Sequence, residues 1–269
     1  SPDIAKKAVN LIKVEYEALP VITDVEEAIK PEAWPIHEGG NIVGTSRAEA
    51  GNVDEAFQEC DYVFEDRYTT QAIHHAAIES HVAIADFAAN GKLTVYSPCQ
   101  NTFAFRVIMS RIFGLSYNRI RMVAPAIGGA FGGKLEVTVE PVAAVLSQMT
   151  GKPVKVEYNR KESILSTRVR HASVNYVKTG FMKDGTLKAV DFKVYTNTGA
   201  YASSALNVSG AMSHKVFKAY KIDHMRFQCQ PVYTNTEIAG AMRGYGSPQV
   251  YFGWQRQMQK IADFLHMDM

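Results

Sequence analysis

A glycine-rich loop between a strand-like and a helix-like segment constrains the fold of this chain more than any other feature. The loop runs Gly128-Gly129-Ala130-Phe131-Gly132-Gly133-Lys134, and residues 118–124 before it resemble a strand. After it comes an apolar-rich run, residues 135–149, in which helical spacing is seen at Val139, Val142, Ala143, Leu146 and Met149. Glycine lets the backbone approach a ligand closely, and the unpaired N–H groups at a helix start attract anions. The pattern therefore predicts an anion site formed by main chain at residues 131–133.

The same loop also satisfies most of the P-loop pattern of nucleotide-binding proteins, G-x-x-x-x-G-K, through Gly128, Gly133 and Lys134. That pattern ends in a serine or threonine whose hydroxyl binds magnesium, whereas the next residue here is Leu135. Nucleotide binding is therefore the weaker interpretation. A glycine turn that only packs a helix against a strand is a second alternative.

A second glycine cluster, at residues 241–249, is likewise predicted to form an anion site before a helix start. It holds Arg243 among small residues and precedes a helix that we predict to begin near Pro248. A polar break at residues 97–102 contains Gln100, whose side-chain NH2 can donate to an oxo or phosphate oxygen. An ordinary turn or a helix cap would explain each segment alone, but together they predict a shared anionic ligand.

Composition argues against several classes of partner. The formal net charge of +2 gives no basis for nucleic acid binding. No apolar run approaches the roughly 18 residues that cross a bilayer, so no membrane partner is expected. The three cysteines are too few and too scattered for a disulfide framework, a zinc site or an iron–sulfur cluster. A reduced, cytoplasmic location is the expectation.

Strands and helices follow one another without a regular βαβ rhythm, which favours an α+β fold of mixed sheets with packed helices. Asp184-Gly185 between two alternating runs predicts a hairpin of strands 173–181 and 187–195. The other predicted strands are 13–17, 62–69, 82–86, 93–96, 154–158 and 225–232. The other predicted helices are 5–12, 25–29, 54–60, 102–113, 207–217 and 251–265.

The proline- and glycine-rich residues 31–52 are predicted to be a linker. It would separate residues 1–30, the end of a small N-terminal α/β domain, from residues 53–269, the first half of a larger domain. Both ends of the chain lie inside a helical pattern or just beyond one, so we expect a fragment or one piece of a larger assembly.

Three segments follow one another along the chain: Gln100-Asn101-Thr102, the loop at residues 128–134 and the cluster at residues 241–249. Taken together and in this order, they resemble the molybdopterin-binding large subunit of the molybdenum hydroxylases, the xanthine dehydrogenase and aldehyde oxidase family. Shorter matches at residues 14–20, 51–57 and 197–201 extend the resemblance over essentially the whole chain.

The resemblance implies a molybdenum atom carried by a molybdopterin, a pyranopterin dithiolene alone or in a dinucleotide form, with no metal ligand from a side chain. It implies that Gln100 is the catalytic-site residue, donating to the apical oxo group of the metal. Phe131 and Gly132 would offer backbone N–H groups to the same centre, and Arg243 lies in a loop that contacts the cofactor. Tyr245 would stack against a planar substrate.

The implied reaction is hydroxylation of a carbon beside nitrogen or oxygen in an aromatic heterocycle or an aldehyde. Electrons would leave through iron–sulfur clusters and FAD in other domains or subunits. Leu135 stands where xanthine-oxidising members carry glutamate, and Ala211 aligns near their substrate arginine. We therefore expect a less polar substrate, in contact with Leu135.

The glutamate that acts as the family's catalytic base falls in a later segment than any in this sequence. The remaining half of the domain is therefore an expected partner, and the isolated chain is expected to be inactive. The alternative from another class is a non-catalytic partial subunit that needs a partner for both cofactor and base.

Two clusters of ionisable residues are interpreted as structural or solvated rather than as sites. In composition the histidine segment resembles a metal site. Because residues 82–86 directly after it are predicted to be a strand, we do not expect the histidines and the glutamate to share one face of a helix. The arginine segment is expected to be a solvated loop. The clusters are His74, His75, Glu79 and His81, and Arg168, Arg170 and His171.

Overall fold

A computed structural model describes all 269 residues. Its helices are α1 (Pro2–Leu11), α2 (Val25–Ala28), α3 (Val53–Gln58), α4 (Thr102–Phe113), α5 (Glu140–Thr150), α6 (Arg160–Leu165), α7 (Ala205–Lys215) and α8 (Ser247–Leu265). Its strands are β1 (Ser46–Ala50), β2 (Tyr62–Thr70), β3 (Ile73–His74), β4 (Val82–Phe87), β5 (Leu93–Tyr96), β6 (Ile120–Val123), β7 (Val154–Glu157), β8 (Val169–Arg170), β9 (Ser173–Phe181), β10 (Leu187–Gly199), β11 (His224–Tyr233) and β12 (Ala239–Gly240). No helix is long and apolar enough to span a membrane.

The largest layer is a five-stranded sheet in the order β1-β11-β10-β9-β2. Its pairings are antiparallel except that of β10 with β11, which are parallel because the connection between them crosses over through α7. The helices α7 and α8 pack on this sheet, where Phe192, Phe227 and Trp254 are fully buried in the main core. This packing anchors α8, whose start follows directly on the second glycine cluster.

A four-stranded sheet in the order β6-β5-β4-β7 forms a second layer. The strands β5 and β6 are parallel and are joined through α4, while α5 packs against β4. Leu93, Met109 and Ala143 are fully buried between these elements. This layer holds both Gln100, just before α4, and the first glycine loop, between β6 and α5.

The smallest sheet has three strands of two residues each, in the order β12-β8-β3. Its central strand, β8, pairs in parallel with β12 and antiparallel with β3. The sheet therefore joins three segments that are far apart in the sequence. They are the histidine segment, the arginine segment and the second glycine cluster.

Most sequence predictions of elements are confirmed. The mixed α+β class is correct, α4 and β9 have the predicted bounds, and the predicted hairpin turns at Gly185 with a φ of +88°. The predicted strand at residues 13–17 is wrong, because that segment has no regular structure. Residues 46–50, inside the predicted linker, form the edge strand β1. The division of the chain after residues 30 and 52 stays a prediction.

Candidate functional site

The first glycine loop does not adjoin a helix start, contrary to the sequence prediction. Residues 128–139 are irregular, and α5 begins only at Glu140. The Glu140 carboxylate accepts hydrogen bonds from the Ser97 hydroxyl (2.5 Å) and from the Thr138 N–H (2.7 Å). These contacts hold the start of α5 against Ser97, so five residues separate the end of the glycine loop at Lys134 from the start of the helix.

The first loop instead offers main-chain donors of its own. The N–H groups of Gly129, Ala130 and Phe131 have no hydrogen-bond partner in the protein. Phe131 has a φ of +53°, and its side chain is half exposed. The loop can therefore bind an anion through consecutive amides, which is the arrangement that anion-binding turns use.

The Gln100 side chain is fixed against this loop by its oxygen. Its Oε1 accepts hydrogen bonds from the Gly132 N–H (2.9 Å) and the Lys134 N–H (3.3 Å), while its main-chain N–H donates to the Lys134 carbonyl (2.9 Å). Because Oε1 receives two donors, the NH2 group is the free end of the amide. The Gly132 N–H is thus already used, and of the predicted Phe131–Gly132 pair only the Phe131 N–H remains available.

The lysine of the loop is buried in an ion pair. Lys134 is 4% exposed, and its Nζ lies 2.5 Å from Glu79 Oε2. The same oxygen accepts the Gly128 N–H at 3.0 Å. A P-loop lysine must be free to reach the phosphates of a nucleotide. Lys134 is not, so the geometry argues against nucleotide binding.

The two glycine loops pack directly on each other. The Arg243 N–H donates to the Phe131 carbonyl at 2.8 Å. Gly132 has a φ of +103°, and a Cβ built there would lie 2.4 Å from the Ala241 carbonyl oxygen. Only glycine permits this approach. The predicted site residues Gln100, Phe131, Gly132 and Arg243 therefore lie together on one side of the molecule.

Two histidines of the predicted structural cluster contact carbonyl oxygens of the two glycine loops. His75 Nε2 lies 2.7 Å from the Ala241 carbonyl oxygen and His81 Nε2 lies 3.1 Å from that of Gly133. Burial lowers the pKa of both imidazoles, which are therefore neutral at pH 7 and donate through Nε2. The structural interpretation of these histidines agrees with the contacts.

Two cations lie behind the second loop without any carboxylate partner. Arg170 is 8% exposed, and its guanidinium donates to the Arg243 carbonyl (2.6 Å) and to Gln249 Oε1 (3.4 Å). Lys215 Nζ donates to the carbonyls of Gly244 (3.1 Å) and Tyr245 (3.0 Å). The expectation of a solvated arginine loop is wrong, because β8 carries Arg170 into the interior.

The predicted substrate residues flank these loops. Tyr245 is partly buried against the main core with a φ of +44°, and burial together with the charge of Glu136 raises the pKa of its phenol. The Glu136 carboxylate itself is paired with Arg168 Nε at 3.1 Å. Leu135 is half buried, and its N–H donates to the Gly132 carbonyl at 3.1 Å. Contact of Leu135 and Tyr245 with a substrate stays a prediction.

His171 provides a test of this buried architecture through pH. It is 1% exposed with both ring nitrogens unpartnered, and burial, aided by the charge of Arg170, lowers its pKa to about 4. In the unfolded chain the His171 imidazole takes up a proton near pH 6.5, whereas in the folded chain it stays neutral down to about pH 4. The contribution of His171 to the free energy of unfolding is therefore fully present above pH 6.5 and is lost as the pH drops toward 4. The expected loss is about 3 kcal/mol.

The measurement is urea denaturation between pH 7.5 and 4.5. His171→Leu should make the dependence less steep, leaving the part due to the buried His75 and His81, whereas His214→Gln, at an exposed histidine, should leave it unchanged. An equally steep dependence in His171→Leu would contradict the assignment.

Sequence reasoning missed the positioning side chains of this site. Arg170 and Lys215 contact the second loop only because β8 and α7 bring them there. The one local signal was the Arg-His dipeptide between two predicted strands, which has the polarity of a solvated turn. No spacing rule connects it with residues 241–249.

This chain is similar in sequence to known molybdopterin-binding proteins. The family model of the molybdopterin cofactor-binding domain matches residues 36–269. The xanthine dehydrogenase molybdenum-binding subunit of Escherichia coli O157:H7 is 37% identical over 265 residues, covering 98% of this chain and 35% of that protein. The nicotinate dehydrogenase large molybdopterin subunit of Eubacterium barkeri is 35% identical over 268 residues, covering 100% of this chain and 63% of that protein. The chain thus spans about a third of the first relative and under two thirds of the second.

Solved structures have the same fold. Aldehyde oxidoreductase from Desulfovibrio gigas matches with a TM-score of 0.91 at 28% identity, over 100% of this chain and 30% of that one. The enzyme of the same name from Desulfovibrio desulfuricans matches with a TM-score of 0.93 at 25% identity, over 98% of this chain and 30% of that one. Since the family model covers most of its residues, the chain belongs to the molybdopterin cofactor-binding domain family.

Proposed function

We propose that this chain is the molybdopterin-binding part of a molybdenum hydroxylase that oxidises an aromatic N-heterocycle or an aldehyde. The observation that carries the proposal is the junction of Gln100 with the two glycine loops. It combines a free amide NH2, unpartnered main-chain N–H groups and a half-exposed Phe131 on one side of the molecule. When bound, the cofactor would supply the oxygen transfer and accept two electrons from substrate.

The residues fit such a group. An anionic centre without protein ligands needs preorganised hydrogen-bond donors, and the loops provide them without a metal-binding cluster of side chains. The Phe131 N–H and the Gln100 NH2 are two donors of this junction without a partner in the protein. Arg243 adds an exposed guanidinium without a carboxylate partner. Tyr245 and Leu135 would then bound the substrate space, which favours a substrate less polar than xanthine.

We also propose the remaining features of the intact enzyme. Iron–sulfur and FAD domains or subunits would carry the electrons away, and a further segment of the molybdopterin-binding subunit would add the catalytic base and the other pterin contacts. We propose a multisubunit assembly on the same resemblance, and a cytoplasmic location because the three scattered cysteines suit a reduced compartment. The support for the other points is the family pattern and the length of the relatives.

The test uses Gln100 in the full-length subunit with its partners. Gln100→Glu keeps an oxygen that accepts from Gly132 and Lys134 but removes the NH2 donor and adds negative charge. We expect molybdenum content to be retained and turnover of aldehydes or of nicotinate-like heterocycles to fall about 10²-fold, as for loss of one preorganised donor. The readouts are dye reduction and elemental analysis.

The matched control is Gln148→Ala, at an exposed position of α5, which should behave as wild type. Unchanged turnover and unchanged molybdenum in Gln100→Glu would refute the role of Gln100. A folded wild-type assembly with neither molybdenum nor pterin would refute the proposed function itself.

A further inference from the structure

A buried cation without a counter-ion lies behind the second glycine loop. Arg170 is more than nine-tenths buried, and no carboxylate lies within ion-pair distance of it. Its only protein partners are one carbonyl and one amide oxygen, and burial lowers the pKa of its guanidinium. Burying an unpaired charge costs several kcal/mol unless an opposite charge compensates for it.

Lys215, which is only partly buried, contacts the same loop. Its Nζ donates to two successive carbonyls and lies over the Tyr245 ring at 5.8 Å, again without a carboxylate. Arg170 and Lys215 together therefore bind three consecutive carbonyl oxygens, those of Arg243, Gly244 and Tyr245. The positive charge behind the loop is not neutralised by the chain.

The two cations also set the direction of the loop amides. In a trans peptide the C=O and the following N–H point in opposite directions. Because the carbonyls of Arg243 and Tyr245 point toward the cations, the N–H groups of Gly244 and Gly246 point away from them. Neither N–H has a partner in the protein. Both glycines have positive φ, +93° and +92°, a conformation that glycine adopts without strain. The Tyr245 N–H between them donates to the Met242 carbonyl at 2.8 Å, so the Gly244 and Gly246 amides are the free donors of this segment.

We propose that Arg170 and Lys215 are positioning residues that present the Gly244 and Gly246 amides to the bound cofactor and hold a fixed positive charge behind it. This proposal depends on the proposed function, because the anion is taken to be the molybdopterin cofactor. A fixed cation in a region of low dielectric stabilises the more negatively charged, reduced states of a bound centre. The expected consequence is a higher reduction potential than the loops alone would give.

The experiment measures the midpoint potential of the molybdenum centre, by redox titration followed by electron paramagnetic resonance, in the loaded full-length enzyme at one pH. Arg170→Gln and Lys215→Met should each lower the equilibrium constant for one-electron reduction at least tenfold, which is 59 mV. Arg170→Lys keeps the charge and should give a smaller change. The control is Lys155→Gln, which removes an exposed charge from β7 and should leave the potential unchanged.

The outcomes are distinguishable. Full molybdenum loading with unchanged potentials in Arg170→Gln and Lys215→Met overturns the inference. If Arg170→Gln folds but loses its molybdenum, loading in Arg170→Lys supports the role of the charge, whereas loss in both variants overturns it. A wild-type enzyme without molybdenum would refute the proposed function before any variant is compared.

Discussion

Gly132→Ala is expected to separate the two glycine loops and to abolish molybdenum loading of the full-length enzyme. The alanine Cβ would lie 2.4 Å from the Ala241 carbonyl oxygen, and the φ of +103° lies outside the conformations that alanine tolerates. Backbone strain of roughly 1–3 kcal/mol and overpacking of roughly 1–3 kcal/mol add to a cost of about 2–6 kcal/mol. The loops would relax by moving apart, which breaks the Arg243 N–H to Phe131 carbonyl bond.

Alanine substitutions at two other glycines separate the contribution of backbone strain from that of overpacking. Gly114 ends α4 with a φ of +62° and open space around it, so Gly114→Ala should show the backbone strain alone, about 1 kcal/mol. Gly210 lies inside α7 with open space and an ordinary φ, so Gly210→Ala should be neutral or stabilising. Thermal midpoints and molybdenum content are the measurements. Gly132→Ala enzyme with wild-type midpoint and full loading would contradict the proposed packing of the loops.

How far the sequence predicts this fold depends on where the deciding residues lie. The bounds of α4 follow from its neighbours, since Asn101 caps its start and Gly114 ends it. The start of α5 also has local signals, since the helical apolar spacing begins at Val139 and Pro141 lies in the first turn. By contrast, β1 exists because it pairs with β11. Elements decided by distant contacts leave no local pattern.

The same distinction applies to the site. Gln100, Phe131 and Arg243 were predicted by family resemblance, and the loops that carry them do meet. The contact of Arg170 with the second loop was not predicted, since it depends on β8, a strand of two residues. Strands that short have too few residues for alternation to be recognised. The roles of all these residues toward cofactor and substrate stay predictions.

The second large effect is expected at the ion pair of Lys134 with Glu79, and it should be asymmetric. Glu79→Gln keeps an oxygen for the Gly128 N–H but leaves the ammonium of Lys134, 4% exposed, without a counter-charge. The expected loss is about 3–5 kcal/mol of unfolding free energy. Lys134→Met leaves a carboxylate that is 31% exposed and can be hydrated, so the expected loss is smaller, about 1–2 kcal/mol.

A double-mutant cycle measured by urea denaturation checks the asymmetry. Glu79→Gln with Lys134→Met should be more stable than Glu79→Gln alone, because the second substitution removes the buried unpaired charge. Equal losses in the two single variants would mean that Lys134 reaches water when its partner is removed. The nucleotide interpretation predicts a different result: Lys134→Met would leave stability unchanged and abolish magnesium-dependent ATP binding. The buried geometry of Lys134 instead makes it a support of the first loop, whose amides at residues 129–131 have no partner in the protein.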